Sequence, residues 1–111
     1  MKVKIDGQKF DVEIADNLLK RAWGLSMREE GKMLFKFPRP TKAKIDMALL
    51  SKPLYLYFFD SERNMIHKER AEPWTWNPNT WNFYRPVERY RYLLESFEKL
   101  DIEKGDRLNL S

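Results

Sequence analysis

A chain of 111 residues has the length of one domain and can bury a real core without covalent or metal staples. It contains no cysteine and one histidine, His67, which excludes disulfides, thiol nucleophiles, iron–sulfur clusters, cysteine zinc sites and any site that needs two histidines. The net charge of +4 weakly favours anionic partners, and the charge-rich, glutamine-poor composition suits a thermophile.

The elements are predicted in chain order as follows. The opening segment M-K-V-K-I-D-G-Q-K-F alternates and lacks an apolar h-region, so it reads as structure and not as a signal peptide. Val3 and Ile5, then Phe10, Val12 and Ile14, flank Asp6-Gly7, the pattern of a hairpin with a D-G turn. Asp16 is placed to cap a short helix over Asn17 to Gly24. Met33 to Phe37 reads as a strand ended by Pro38 and Pro40, and the alternation of Ile45, Met47 and Leu49 predicts another strand within Thr41 to Leu50. Leu54 to Asp60 is nearly continuous in apolar residues and is predicted to be a central strand. Ser61 to Asn64 turns the chain and Met65 to Glu69 pairs back. Prolines and asparagines make Ala71 to Pro86 a long loop. Tyr90 to Glu95 is a strand, Phe97 to Leu100 a single helical turn, Glu103 to Asp106 a turn, and Arg107 to Leu110 a closing strand. No stretch approaches the roughly 18 apolar residues of a membrane span, and a cytoplasmic protein is expected. The fold class is mainly β (α+β): a compact β-sandwich or barrel-like domain of antiparallel strands with one or two short helices, residues 1–111 forming a single domain.

Five pieces of sequence in order carry a family resemblance. R-x-x-G-L-x-x-R is matched by Arg21, Gly24, Leu25 and Arg28, and G-x-M-L-F-x-F by Gly31, Met33, Leu34, Phe35 and Phe37. Pro53-Leu54, Phe58 and Asp60 follow, then Tyr92 to Glu95, then Ile102 to Asp106 with Gly105 inside it. This set resembles the uncharacterised family called domain of unknown function 192. The resemblance implies a compact, mostly β sandwich-like domain with short helices, and no established activity. It also implies a W-M-x-N-T stretch and an aspartate after P-L; here those places hold Met47-Ala48-Leu49-Leu50 and Tyr55, so the family's suspected polar groups are missing. Arg28, a motif arginine on a turn, is expected to pair with Glu95 or Asp60 and to serve structure. Asp60 and Asp106, at strand-to-turn positions, are expected to cap backbone amides.

The loop from Trp74 to Pro86 is the main functional candidate. Trp74, Trp76, Trp81 and Tyr84, with Phe83 among them, offer aromatic faces, and Asn77, Asn79, Asn82 and Arg85 offer donors, a combination suited to stacking on sugar rings or bases. The competing reading folds these rings back as a small core of the loop itself, and exposure of Trp76 and Trp81 decides between the two. A second candidate is the cation set Lys36, Arg39, Lys42 and Lys44 with Arg21 and Arg28, which could track phosphates or simply form a solvated strand face. His67 has Glu69 on its own strand face, and no carboxylate pair has a defined separation. The reading is a non-catalytic binding module for a carbohydrate, nucleotide or nucleic acid, with no cofactor and no metal. The alternative is a protein-interaction or homodimerisation domain that uses the same surface.

Overall fold

The computed structural model describes residues 2–15 and 30–110. Lys2–Ile5 (β1) and Gln8–Asp11 (β2) form the expected hairpin around Asp6-Gly7. Both turn residues have positive φ, 48° and 81°, as a two-residue type I′ connection requires, and glycine adopts that geometry without steric cost. Past Asp11 the chain leaves this sheet. Val12 is buried, and Glu13–Ala15 (β3) runs parallel to the start of Lys32–Thr41 (β4). Leu54–Phe59 (β5), Met65–Ala71 (β6) and Tyr90–Ser96 (β7) complete a five-stranded sheet ordered β3-β4-β7-β5-β6. Leu108–Asn109 (β8) returns to β1, giving a three-stranded sheet ordered β2-β1-β8. The protein is mostly β, as expected, and the parallel β3–β4 pair is the one departure from an antiparallel arrangement among the described strands.

Two cores flank the larger sheet. Val3, Ile5 and Leu108 of the small sheet meet Leu34, Phe59 and Leu94 of the large one. On the opposite face Leu56, Phe58 and Leu93 are covered by Met47 and Leu50, with Trp74 and Tyr84 of the long loop packed alongside. This explains the composition of β5. Leu54, Leu56 and Phe58 go to one core, Tyr57 and Phe59 to the other, so both faces of the pleat select apolar side chains. Each such side chain, fully buried, stabilises by about 1.5–3 kcal/mol.

Three predicted elements differ. β4 does not end at Pro38 but continues to Thr41, with its register against β7 broken between Lys36 and Thr41. Prolines cannot donate to the ladder, and the irregularity takes them out of it. The Arg91 guanidinium holds the exposed acceptors instead, Nε donating to Phe37 O at 3.1 Å and Nη2 to Pro38 O at 3.3 Å. The segment 42–50 is an irregular strap and not a strand, bridged to the long loop at Ile45. Asp46 Oδ1 accepts from Ala48 N at 3.2 Å and Leu50 N bonds Met47 O, a turn that breaks the alternation and leaves Leu49 exposed and Leu50 buried. Phe97 to Leu100 is a bend and not a helical turn. Ser96 Oγ accepts from Glu98 N and donates to Glu98 O, a local side-chain bond that competes with helix.

The helix expected over Asn17 to Gly24, with its Asp16 cap, lies outside the described residues. So do Arg21, Gly24 and Arg28, and with them the expected pairing of Arg28. Of the other motif residues, Gly31 enters β4 with φ of 122°, a conformation that L side chains rarely adopt. Asp60 Oδ1 accepts from the amides of Glu62 and Asn64, both at 2.9 Å. Asp106 Oδ2 accepts from Glu103 N at 2.8 Å, and Gly105 N donates to Met65 O.

Candidate functional site

The long loop is held by its own backbone and by the strap beneath it. Ile45 and Tyr84 exchange both backbone hydrogen bonds at 2.8 Å, and Trp74 N donates to Met47 O. Tyr84 is half-buried, its hydroxyl accepting from Glu72 N at 3.2 Å. Burial pushes its phenol above the ordinary tyrosine value, with Glu69 adding in the same direction. Between these anchors lies a single 3-10 turn, Pro78–Thr80, capped by Asn77 Oδ1, which accepts from Asn79 N at 3.0 Å. Thr80 Oγ1 accepts from Thr75 N and donates to Asn77 O. The tryptophan N–H groups are used in the same way: Trp74 Nε1 donates to Asn82 O at 2.9 Å and Trp81 Nε1 to Thr75 O at 2.8 Å.

This scaffold sorts the predicted residues into two groups. Trp74 packs against the core, stacked on Trp81 with centroids 5.9 Å apart and edge-on to Phe83 at 5.4 Å. Trp76 is wholly exposed, Trp81 is 50% exposed and Phe83 is 55% exposed. Trp74, Thr75, Trp76 and Trp81 line a shallow cleft with Ala48 of the strap. Some of the residues expected to meet a ligand also hold the loop: the Asn77 side-chain oxygen caps the turn, the Asn82 backbone carbonyl accepts from Trp74, and Arg85 Nη1 donates to Lys42 O at 3.2 Å. What the loop offers outward is ring surface, with the exposed Arg85 charge beside it.

The second candidate joins the first. Lys42 and Lys44 are exposed on the strap and not on a strand. Lys44 Nζ lies over the Phe83 ring at 5.8 Å from its centroid, a cation–π arrangement. Tyr90 OH donates to Ala43 O at 2.7 Å, fixing the strap between the two lysines. Spacing along the chain could not reveal that the cation row lies beside the aromatic loop, because the link is the Ile45–Tyr84 bridge. Phe83, one of the aromatic residues of the candidate loop, is the ring at which the two candidates meet.

Elsewhere the chemistry is sparse. His67 Nε2 stands 3.2 Å from Glu69 Oε2, both about two-fifths exposed on β6, with the Phe58 ring centroid 5.8 Å from that of the imidazole. No nucleophile accompanies them among the hydrogen bonds of the described residues. Nor does any group of three His, Asp or Glu among the described residues converge as metal ligands. Among the described residues no helix is long and apolar enough to cross a membrane.

A family model described as "Uncharacterized ACR", domain of unknown function 192, matches residues 1–110. A UPF0127 protein of Pyrococcus abyssi (strain GE5 / Orsay) is 31% identical over 96% of this chain and 88% of its own length. A second, of Pyrococcus furiosus, is 28% identical over 90% of this chain and 86% of its own length. Among solved structures, a protein of unknown function from Novosphingobium aromaticivorans superimposes with a TM-score of 0.83 at 21% identity, covering 98% of this chain and 84% of the other, which shows the fold. A protein of Sinorhizobium meliloti 1021 described as a candidate transcription regulator superimposes with a TM-score of 0.78 at 25% identity, covering 96% and 90%.

Proposed function

The chain belongs to the domain-of-unknown-function 192 family, and from that premise we propose that it is a non-catalytic binding module that takes its ligand on the aromatic loop. Trp76 carries this reading. A tryptophan left entirely in solvent at the tip of a loop ordered by its own hydrogen bonds adds nothing to the core, and its burial is gained on binding. The loop is preorganised, so little ordering cost falls on the binding step. Trp76, Trp81 and Phe83 supply the contact faces. Trp74 and Tyr84 anchor them, Asn77 and Asn82 hold the turn, and Arg85 ties the loop to the strap. A ring-bearing ligand, whether carbohydrate, nucleotide or nucleic acid, suits faces of this kind. We read residues 1–111 as one domain that acts in the cytoplasm.

A second reading is self-association through the same patch. Leu49 is exposed as well as Trp76, Trp81 and Phe83, and the indole N–H groups of Trp74 and Trp81 already have partners, so the surface is apolar enough for an isologous interface. Tryptophan emission titrated with neutral oligosaccharides, mononucleotides and short oligonucleotides separates the two. The binding reading expects a saturable change with at least one of them, shifted to higher ligand concentration by Trp76→Ala. No change with any of them, together with a sedimentation coefficient that rises with protein concentration, would favour the second reading.

A further inference from the structure

We propose that the ligand of this surface is single-stranded nucleic acid, its bases stacked on Trp76, Trp81 and Phe83 and its phosphates following Lys42, Lys44, Arg85 and Arg39. This rests on the reading of the aromatic loop as a binding surface, and charge placement carries it further. Between Lys36 and Lys52 the chain has five lysines and arginines and one carboxylate, Asp46. Between Arg85 and Arg91 it has three and one carboxylate, Glu88. The remaining residues carry a slight excess of carboxylates, so the whole positive charge of the protein belongs to these two segments. They are joined to each other and to the loop. Arg85 reaches the Lys42 carbonyl, Arg91 the Phe37 and Pro38 carbonyls, Lys44 the Phe83 ring, and Ile45 pairs with Tyr84.

The cations are available as well as clustered. Arg39, Lys42, Lys44, Arg85 and Arg89 form no ion pair among the described residues, whereas Lys32, Lys68 and Arg70 have Glu98, Glu103 and Glu72. A neutral sugar would leave such a row unused. One nucleotide would use only part of it, since Arg39 to Lys44 can span up to about 17 Å of extended chain. Duplex hides its base faces, while exposed rings recruit the unstacked bases of a single strand. The indole N–H groups of Trp74 and Trp81 are tied to loop carbonyls, so recognition is mainly by ring face and backbone charge and is largely tolerant of base sequence.

The test is a fluorescence titration of the whole protein with dT and rU oligonucleotides of about ten residues, at salt from 50 to 200 mM, beside a neutral oligosaccharide and a free nucleoside monophosphate. Contact with three or four phosphates gives a slope of log K against log salt of about −2 to −3, a loss of roughly 15- to 60-fold over that range. K42E/K44E should flatten the slope by about 1.4, two contacts at roughly 0.7 each, and weaken low-salt binding tenfold or more. Trp76→Ala should weaken binding about tenfold at every salt without changing the slope. Both changes sit on exposed side chains, so neither threatens the fold. The dT and rU arms tell DNA from RNA. Oligonucleotides that fail to bind while the sugar quenches Trp76 would overturn the inference and leave the binding-module reading standing. Oligonucleotide binding indifferent to Trp76→Ala would also overturn it. Silence from every ligand would overturn both.

Discussion

Trp74 and Trp76 stand two positions apart and do opposite things. Trp74 packs on the core, stacks on Trp81 and donates to Asn82 O; Trp76 touches solvent on all sides. Trp76→Ala is therefore expected to change stability by no more than about 0.5 kcal/mol, the range of a free surface position. Trp74→Ala should cost about 2–3 kcal/mol, below the roughly 3–5 of a fully buried ring. Urea unfolding of the two variants checks both, and equal losses would place Trp76 in a packed environment. Tyr57 and Tyr90 give a second residue-scale prediction. Burial raises both phenols above the ordinary value of 10.0, with Glu95 adding to the effect at Tyr90. A raised folded value means that the folded state holds its proton longer than the unfolded chain. The associated stability is complete below pH 10 and falls as pH rises beyond it, by up to about 1.4 kcal/mol per pH unit for each phenol. Tyr90→Phe should flatten that alkaline fall, as read from unfolding midpoints between pH 8 and 11.

Local chemistry made some elements legible and long-range pairing hid others. The Asp6-Gly7 turn, the doubly buried β5 and the amide-capping roles of Asp60 and Asp106 follow from neighbours in the chain, and the structure has them where the sequence puts them. The strap reads as a strand because Ile45, Met47 and Leu49 alternate, while the turn at Asp46 to Leu50 breaks the pattern through the Asp46 carboxylate on Ala48 N and the Leu50 N to Met47 O bond. The prolines of β4 read as a stop because their rescue comes from Arg91 on another strand. Arg91→Ala should accordingly lower stability by about 1–2 kcal/mol through two unpaired carbonyls, measurable by denaturant titration; an unchanged midpoint would show that solvent serves them as well. Within the aromatic loop, Thr80 joins Thr75 to Asn77. Thr80→Val should leave global stability within about 1 kcal/mol, yet raise amide hydrogen exchange from Thr75 to Asn82 and weaken ligand binding. Unaltered exchange there would mean that the loop is ordered by packing alone.

At the scale of the molecule, the five-stranded sheet is a wall with a core on each side, and the two sides are closed differently. One side is closed by a second sheet, the other by a strap and a loop. The irregular cover is where exposed rings and unpaired cations come together, in keeping with rigid scaffolds carrying variable binding segments. The aromatic content of that cover was legible in the sequence; its union with the cation row was not, since no local pattern records the bridge from Ile45 to Tyr84. The relatives in Pyrococcus are thermophilic archaeal proteins, in line with the charge-rich composition. Whether the loop takes a ligand is read directly by the indole N–H resonances of the tryptophans. Titration with single-stranded dT or rU should move the Trp76 and Trp81 signals, assigned by Trp76→Ala and Trp81→Phe, more than that of Trp74. Indole signals that stay fixed through millimolar additions of oligonucleotide, mononucleotide and oligosaccharide alike would mean that the loop is not a binding surface for any of them.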